Sequence, residues 1–189
     1  MTNQDTTYTG VSRAAWGYFF LYFNINLGSI NLLPEFAAFL LFLSSIKLLA
    51  SERRDLALLR PLGIFLTVWH LAKWILAILG ITLGGVVSIL DLIVSLVSLY
   101  FHFQLITDFA ALADKYQAPG QELDKSLLRW RTCQTVLLTL STLMAYPAQW
   151  LPDWWQYLIL CLTVICLIAC ICFMAALFRL RRCINNQSE

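Results

Sequence analysis

The chain has little charge. Only 13% of its 189 residues are Asp, Glu, Lys or Arg, whereas 60% are hydrophobic and the mean hydropathy is +0.72. Soluble domains average about 25% charged and about 45–50% apolar residues, so this composition excludes an ordinary soluble domain. The net charge of +2 also argues against a nucleic-acid binder. We predict an integral membrane protein that is surrounded by the lipid bilayer and has no nucleic-acid partner.

The sequence also lacks the common signatures of catalysis and of metal binding. It contains no HExxH, GxSxG or Walker loop, no CxxC pair, and no Cys/His cluster with zinc-ligand spacing. Its length leaves no room for a catalytic domain beside a membrane bundle. We predict that the chain is not an enzyme and that it has no catalytic residues, no metal site and no cofactor. Four of its six cysteines lie in one apolar run, which favours small lipid-embedded side chains over disulfides.

What the sequence does contain is a series of apolar runs that predict an all-α, polytopic transmembrane bundle. Six helices are expected at 12–27, 34–50, 61–79, 85–106, 133–149 and 154–178, arranged as three hairpins. They form a single domain over 12–182, with a disordered tail at 1–11 and a second tail at 183–189. The polar start lacks the basic region of a signal peptide, so the first helix is expected to direct insertion.

The positions of the basic residues predict the orientation. All the Lys and Arg residues except Lys73 fall on one side of the six-helix layout, and the connections on the other side contain none. By the positive-inside rule both termini are cytoplasmic, and we expect a multi-pass protein of the plasma membrane. The residues on the basic side are Arg13, Lys47, Arg53, Arg54, Arg60, Lys115, Lys125, Arg129, Arg131, Arg179, Arg181 and Arg182.

The cytoplasmic segment 107–132 is amphipathic in its second part. Leu123, Leu127 and Trp130 fall on one side and charged residues fall elsewhere. This pattern predicts either a helix that lies on the membrane surface or a plain cytosolic connector. The segment is also where a cytoplasmic protein partner is expected to bind.

The first hairpin departs from regular membrane spans. Its two helices are short for a span of about 20 residues, and Asn24, Asn26 and Asn31 interrupt the apolar pattern before Pro34. The segment 24–34 is therefore either an outer loop or a partly re-entrant segment, buried in protein and presenting asparagine side chains.

The same stretch carries a family resemblance. Residues 25–36 have the pattern I-N-L-G-x-x-N-L-L-P-x-F, and through it the stretch from Phe23 to Phe39 resembles the opening of an uncharacterised family of small multi-pass bacterial membrane proteins. In length, helix number and orientation the chain is also similar to the substrate-capture subunits of energy-coupling-factor vitamin transporters. The first resemblance implies a membrane architecture and no mechanism. The second implies a ligand that is taken from outside.

Polar residues recur inside the third and fourth apolar runs. A hairpin that turns near Thr82 brings Lys73 and Asp91 to the same depth, where we expect these costly charges to pair. This intramembrane polar seam consists of His70, Lys73, Asp91, Ser95 and His102. It is either the interior of a tightly packed structural hairpin or a polar path or pocket, because histidine and aspartate also serve in proton relays.

A second candidate site is predicted near the outer membrane boundary. It comprises Asn24, Asn26, Asn31, Glu35, Asp153 and Trp154. Both acids directly follow a proline that opens a helix, where a carboxylate also complements the helix dipole, and tryptophan is typical of the membrane interface. The group is therefore either an outward pocket that captures a ligand or a set of helix caps and membrane anchors.

These features leave two classes of function. The first is binding or transport of a small solute or ion. The second is a non-transporting membrane scaffold or regulatory subunit, in which the polar seam is structural.

Overall fold

A computed structural model of the chain describes residues 3–23, 26–27, 30–31, 34–81, 86–145 and 154–186. Within these residues the protein is helical apart from one pair of two-residue strands, so the predicted all-α class is confirmed. The elements are α1 (Asn3–Tyr22), β1 (Asn26–Leu27), β2 (Ile30–Asn31), α2 (Glu35–Leu49), α3 (Arg54–Leu58), α4 (Arg60–Ile78), α5 (Val86–Tyr116), α6 (Leu123–Ala145) and α7 (Trp154–Asn186).

Three of the described stretches are long and apolar enough to cross a membrane. They are α4, the part of α5 over Leu90–Tyr116, and α7. A helix rises about 1.5 Å per residue, so a span of the roughly 30 Å hydrocarbon core needs about 20 residues. The chain is therefore a membrane protein by the length and composition of these helices.

The long helices surround the core in the order α4, α2, α1, α7, α6 and α5. α1 packs against α2 and α7, α2 against α4, and α6 against both α5 and α7. α4 and α5 meet along far fewer residues than these pairs do. The two helices that were predicted to share the polar seam are thus the most loosely joined neighbours in the bundle.

The N-terminal residues differ from the prediction of a disordered tail. α1 begins at Asn3 rather than at residue 12, and Thr7 and Val11 are fully buried. Gln4 Nε2 donates a 2.8 Å hydrogen bond to the carbonyl oxygen of Ile184, and Arg181 contacts Tyr8. Because α7 also continues past residue 178 to Asn186, its end supplies a surface on which this polar helix packs.

The segment 107–132 also differs from its prediction. α5 continues to Tyr116, and one helix, α6, runs from Leu123 through to Ala145 instead of a surface helix followed by a separate span. Leu123 and Leu127 are buried in the protein core, so the apolar side of this segment is occupied within the chain.

α1 ends, and α2 begins, in the middle of the bundle. The rings of Tyr18 in α1 and Phe173 in α7 are 4.8 Å apart between centroids. From that level α1 continues only to Tyr22, about 6 Å, whereas α7 continues back to Trp154, about 28 Å.

The connection between these two helices starts and ends at this middle level. Its described part is the antiparallel pair of β1 and β2, in which Asn26 faces Asn31 and Leu27 faces Ile30, and β2 lies against α4. The remaining residues of 24–34, except Pro34, lie outside the described part of the chain.

Burial divides the molecule into two halves. We call residues 3–23, 34–67, 101–134 and 169–186 the packed half, because almost all buried side chains lie there. We call residues 68–81, 90–100, 135–144 and 154–168 the open half, in which Val94 and Leu162 are the only buried side chains. The open half is nevertheless rich in leucine, isoleucine and valine, as suits side chains that face lipid.

A cavity between α4 and α5 as the candidate functional site

A cavity of about 500 Å³ occupies the loose junction of α4 and α5. Glu35 at the start of α2 closes one side, and α6 contributes residues between Leu138 and Leu143 to another. Ligand pockets in proteins commonly enclose about 300–1,000 Å³. The space is therefore large enough for a small organic molecule.

One wall of the cavity carries an ion pair between α4 and α5. Lys73 Nζ donates to Asp91 Oδ1 at 3.0 Å, and the indole Nε1 of Trp69 donates to the same oxygen at 3.3 Å. The expected pairing of Lys73 with Asp91 is thus confirmed. Both charged side chains are close to half exposed, so the pair borders the open cavity and is not sealed in a packed interface.

A second pair joins α4 to the first turn of α2. His70 Nδ1 lies 2.5 Å from Glu35 Oε2, and the imidazole stacks on the ring of Phe39 with centroids 5.0 Å apart. Pro34 precedes the helix and provides no side-chain cap. Glu35 lies in the first turn of α2, and its carboxylate contacts a side chain of the neighbouring helix α4.

His102 lies at the aromatic end of the cavity. Its side chain is buried, and the rings of Tyr18, Phe39, Phe42 and Phe101 surround it. Nδ1 lies 3.3 Å from the hydroxyl of Tyr18, whereas Nε2 has no hydrogen-bond partner among the described residues. Each buried polar atom left without a partner costs free energy, so His102 is held in this aromatic cluster at some cost to stability.

The hydroxyl groups of the lining are mostly occupied by their own helices. Ser95 donates to the carbonyl oxygen of Asp91 at 2.7 Å, Thr139 to that of Thr135 at 2.8 Å, and Thr142 to that of Leu138 at 2.9 Å. These side chains therefore behave as nearly apolar surface. The polar chemistry of the cavity is confined to the ionisable groups and Trp69.

The structure divides the residues differently from the two predicted sites, the polar seam and the outward pocket. All five seam residues line the cavity, and Glu35, which was assigned to the outward pocket, lines it with them. Trp154 lies at the start of α7, more than half exposed against Trp155 and away from the cavity. Asn24 and Asp153 lie outside the described residues, and Asn26 and Asn31 are described only through their backbone.

Sequence reasoning missed the contributions of Trp69 and of α6. Thr139 and Thr142 line the cavity, and Thr135 precedes them at a step of four, so the three residues share one helical face. This spacing indicates a hydroxyl-bearing face of α6 but not the helices that it meets. Among the described residues, no group of three or more His, Cys, Asp or Glu side chains is placed to hold a metal ion.

Comparison of the chain with models of protein families, with curated proteins and with solved structures gave no match. The geometry of the cavity is therefore the basis for any inference about function.

Proposed function

We propose that the chain is a multi-pass protein of the plasma membrane with both termini in the cytoplasm. The support is that basic residues meet in the packed half: Arg181 contacts Tyr8, Lys115 contacts Glu52, and Arg53 Nη2 lies 3.4 Å from Asp108 Oδ1. Positive charge is retained on the cytoplasmic side of membranes. A reporter fused after Arg182 should therefore be cytoplasmic, and an external reporter would refute this orientation.

We propose further that β1 and β2, the described part of the connection between α1 and α2, lie at membrane depth. α1 ends and α2 begins near the level of the cavity. Non-helical backbone is tolerated at that depth only when it is buried in protein or lines a watery cavity. Asn31→Cys should thus react more slowly with a water-soluble maleimide applied from outside than Leu79→Cys, because Leu79 is 63% exposed at the end of α4.

We infer that this protein binds a small solute or ion in the cavity between α4 and α5, without a catalytic step. The observation that carries the inference is the gathering of Glu35, His70, Lys73 and Asp91 around one open space within a membrane bundle. Charged side chains at membrane depth are costly and usually mark substrate or ion pathways.

Thermal unfolding of the purified protein with a panel of vitamins, amines, amino acids and ions tests the inference. A ligand at 100 times its dissociation constant should stabilise the fold by about 2.7 kcal/mol. Leu99→Trp fills the cavity and should abolish the effect, whereas Leu158→Trp on the exposed surface of α7 should preserve it. Equal responses of the two variants would place the ligand elsewhere.

A scaffold or regulatory subunit is the alternative function. It is favoured by the fact that each cation in the cavity already contacts a carboxylate, so the charges need no ligand. A protein partner of segment 107–132 would have to bind its polar side, because Leu123 and Leu127 are buried. If the variant with both Lys73→Met and Asp91→Asn keeps its stability and the cell loses no solute-dependent trait, the scaffold function is supported.

A further inference from the structure

The charges of the cavity indicate which kind of molecule it suits. Its ionisable lining consists of two carboxylates, Glu35 and Asp91, one ammonium group, Lys73, and two imidazoles, His70 and His102. With both imidazoles neutral, this lining carries one net negative charge. Unbalanced charge at membrane depth is costly, so a monovalent cation restores neutrality and an anion makes the imbalance worse.

The two carboxylates differ in how firmly they are paired. Asp91 accepts hydrogen bonds from both Lys73 and Trp69. Among the described residues, Glu35 has a single contact within the cavity, the imidazole of His70, whose Nδ1 lies 2.5 Å from Oε2, and imidazole is the side chain that proteins most often use to shuttle protons. The Glu35–His70 pair is therefore the place where one proton can leave when another cation arrives.

The remaining side chains of the lining indicate whether that cation is a metal ion or an organic molecule. Leucines and valine from α5 and α6 form the opposite walls, and the hydroxyl groups there are bonded to their own helices. A bare metal ion requires several oxygen ligands, which these walls do not offer. An indole from Trp69 attracts organic cations through its π face.

We propose that the cavity binds an organic monocation with an apolar body, an amine or quaternary ammonium, in exchange for one proton held by Glu35 and His70. The proton passes to bulk water when the cation binds and returns from water when the cation leaves. This inference rests on the proposed binding function of the cavity. The titratable groups that face the pair are Lys73 from α4 and Asp91 and His102 from α5, and the hydroxyl of Tyr18 from α1 lies behind His102. Within its described residues, α6 contributes threonines and leucines to the lining.

Calorimetric titration of the purified protein with benzyltrimethylammonium is the test. This probe has a permanent charge, so any proton released comes from the protein. Titrations at pH 6, 7 and 8 in two buffers of different ionisation enthalpy give the proton count. We expect about one proton released per cation at the acidic end, with affinity rising about tenfold per pH unit there. Neopentylbenzene, its uncharged isostere, and phenylacetate should bind at least about tenfold more weakly.

Three variants locate the exchange. Glu35→Gln should abolish proton release and weaken binding of the cation at least about tenfold, whereas Glu122→Gln, on the exposed connection before α6, should leave both unchanged. His70→Gln keeps the carboxylate and should bind the cation without proton release and without pH dependence. It provides a second test if Glu35→Gln fails to fold.

Several outcomes would overturn the inference. Binding of the cation without proton release would exclude exchange, and equal affinity for the three probes would exclude selection by charge. If another solute of the panel stabilises the protein while this cation does not bind, the binding function survives and the present inference fails. If no solute has any effect, both fail.

Discussion

The packed half and the open half contain the same kinds of apolar residue and bury them very differently. A single helix, α5, shows the contrast. Phe101, Leu105 and Phe109 in its second part are fully buried, whereas Ile93 and Leu96 in its first part are 48% and 60% exposed. Hydrophobicity alone therefore does not decide which side chains enter the protein core.

The difference agrees with the proposed orientation of the protein in the membrane. All the Lys and Arg residues except Lys73 lie in the packed half, and water at the helix ends on that side would drive apolar side chains together. Within the bilayer, lipid is as apolar as leucine, so helices gain little by closing against each other. The open half can therefore remain separated around a cavity without the penalty that a soluble protein would suffer.

The largest expected effect is the loss of an aromatic ring from the packed half. Phe109→Ala should lower the free energy of unfolding by about 3–5 kcal/mol, because a cavity replaces a fully buried ring. Phe65→Ala is the matched control, since that ring is 46% exposed on α4, and it should cost less than about 1 kcal/mol. Denaturation of both variants in mixed micelles measures the two values, and equal losses would contradict the division into halves.

The open half should be most sensitive at its ion pair. Lys73→Met and Asp91→Asn each leave one charged or polar group without its partner, with a cost of up to about 2.5–3.5 kcal/mol at mid-membrane. The actual cost should lie below this range, because both side chains are nearly half exposed in the structure. The double variant should recover much of the loss, since a paired charge is often no better than two apolar groups.

The exposed pair of Glu122 and Lys125 is the control for this cycle, because solvent screens its charges and its removal should change stability very little. Stable expression and unfolding in micelles are the measurements. If the double variant at positions 73 and 91 loses as much as the sum of the single variants, the two residues do not act as partners.

Features that depend on residues close together in the sequence could be predicted, and features that depend on distant residues could not. The pairing of Lys73 with Asp91 follows from a hairpin of neighbouring helices and was foreseen. The helical start of the chain was not, because Gln4 finds its partner 180 residues away at Ile184. The contribution of α6 to the cavity was missed for the same reason, since no pattern within one helix tells which helix lies opposite.

A smaller effect is expected where volume is added to the packed half. The Cβ of a residue placed at Gly17 would lie 2.7 Å from Cε1 of Phe42, and that ring is itself fully buried. Gly17→Leu should therefore destabilise the protein by about 1–3 kcal/mol through overpacking. Ala72→Leu adds a larger side chain to an exposed position of the open half and should be nearly neutral. A destabilised Ala72→Leu would show that the open half is covered by another protein surface.

The smallest expected effect concerns the connection between α5 and α6. The side chain of Gln117 accepts hydrogen bonds from the amides of Leu123 and Asp124, at 2.9 and 3.3 Å, and donates one to Asp124 Oδ1 at 2.9 Å. Gln117 thus caps the start of α6, although it lies several residues before that helix. Gln117→Ala should lower the free energy of unfolding by about 0.5–2 kcal/mol, the usual value for a lost cap.

The pH dependence of that cost identifies its origin. The hydrogen bond from Gln117, together with the backbone amide of Lys125, holds the pKa of Asp124 below its ordinary value. A depressed pKa contributes stability that is present above the unfolded value of about 3.9 and is lost as the pH falls through the folded value. Gln117→Ala should therefore lose less stability than the wild type on acidification below about pH 4. Gln117→Glu keeps the acceptor for the two amides and places a second carboxylate beside Asp124. Its stability at pH 7 should lie between those of the wild type and Gln117→Ala. If both variants match the wild type at every pH, the cap contributes nothing, and the packing of Leu123 and Leu127 alone fixes the start of α6.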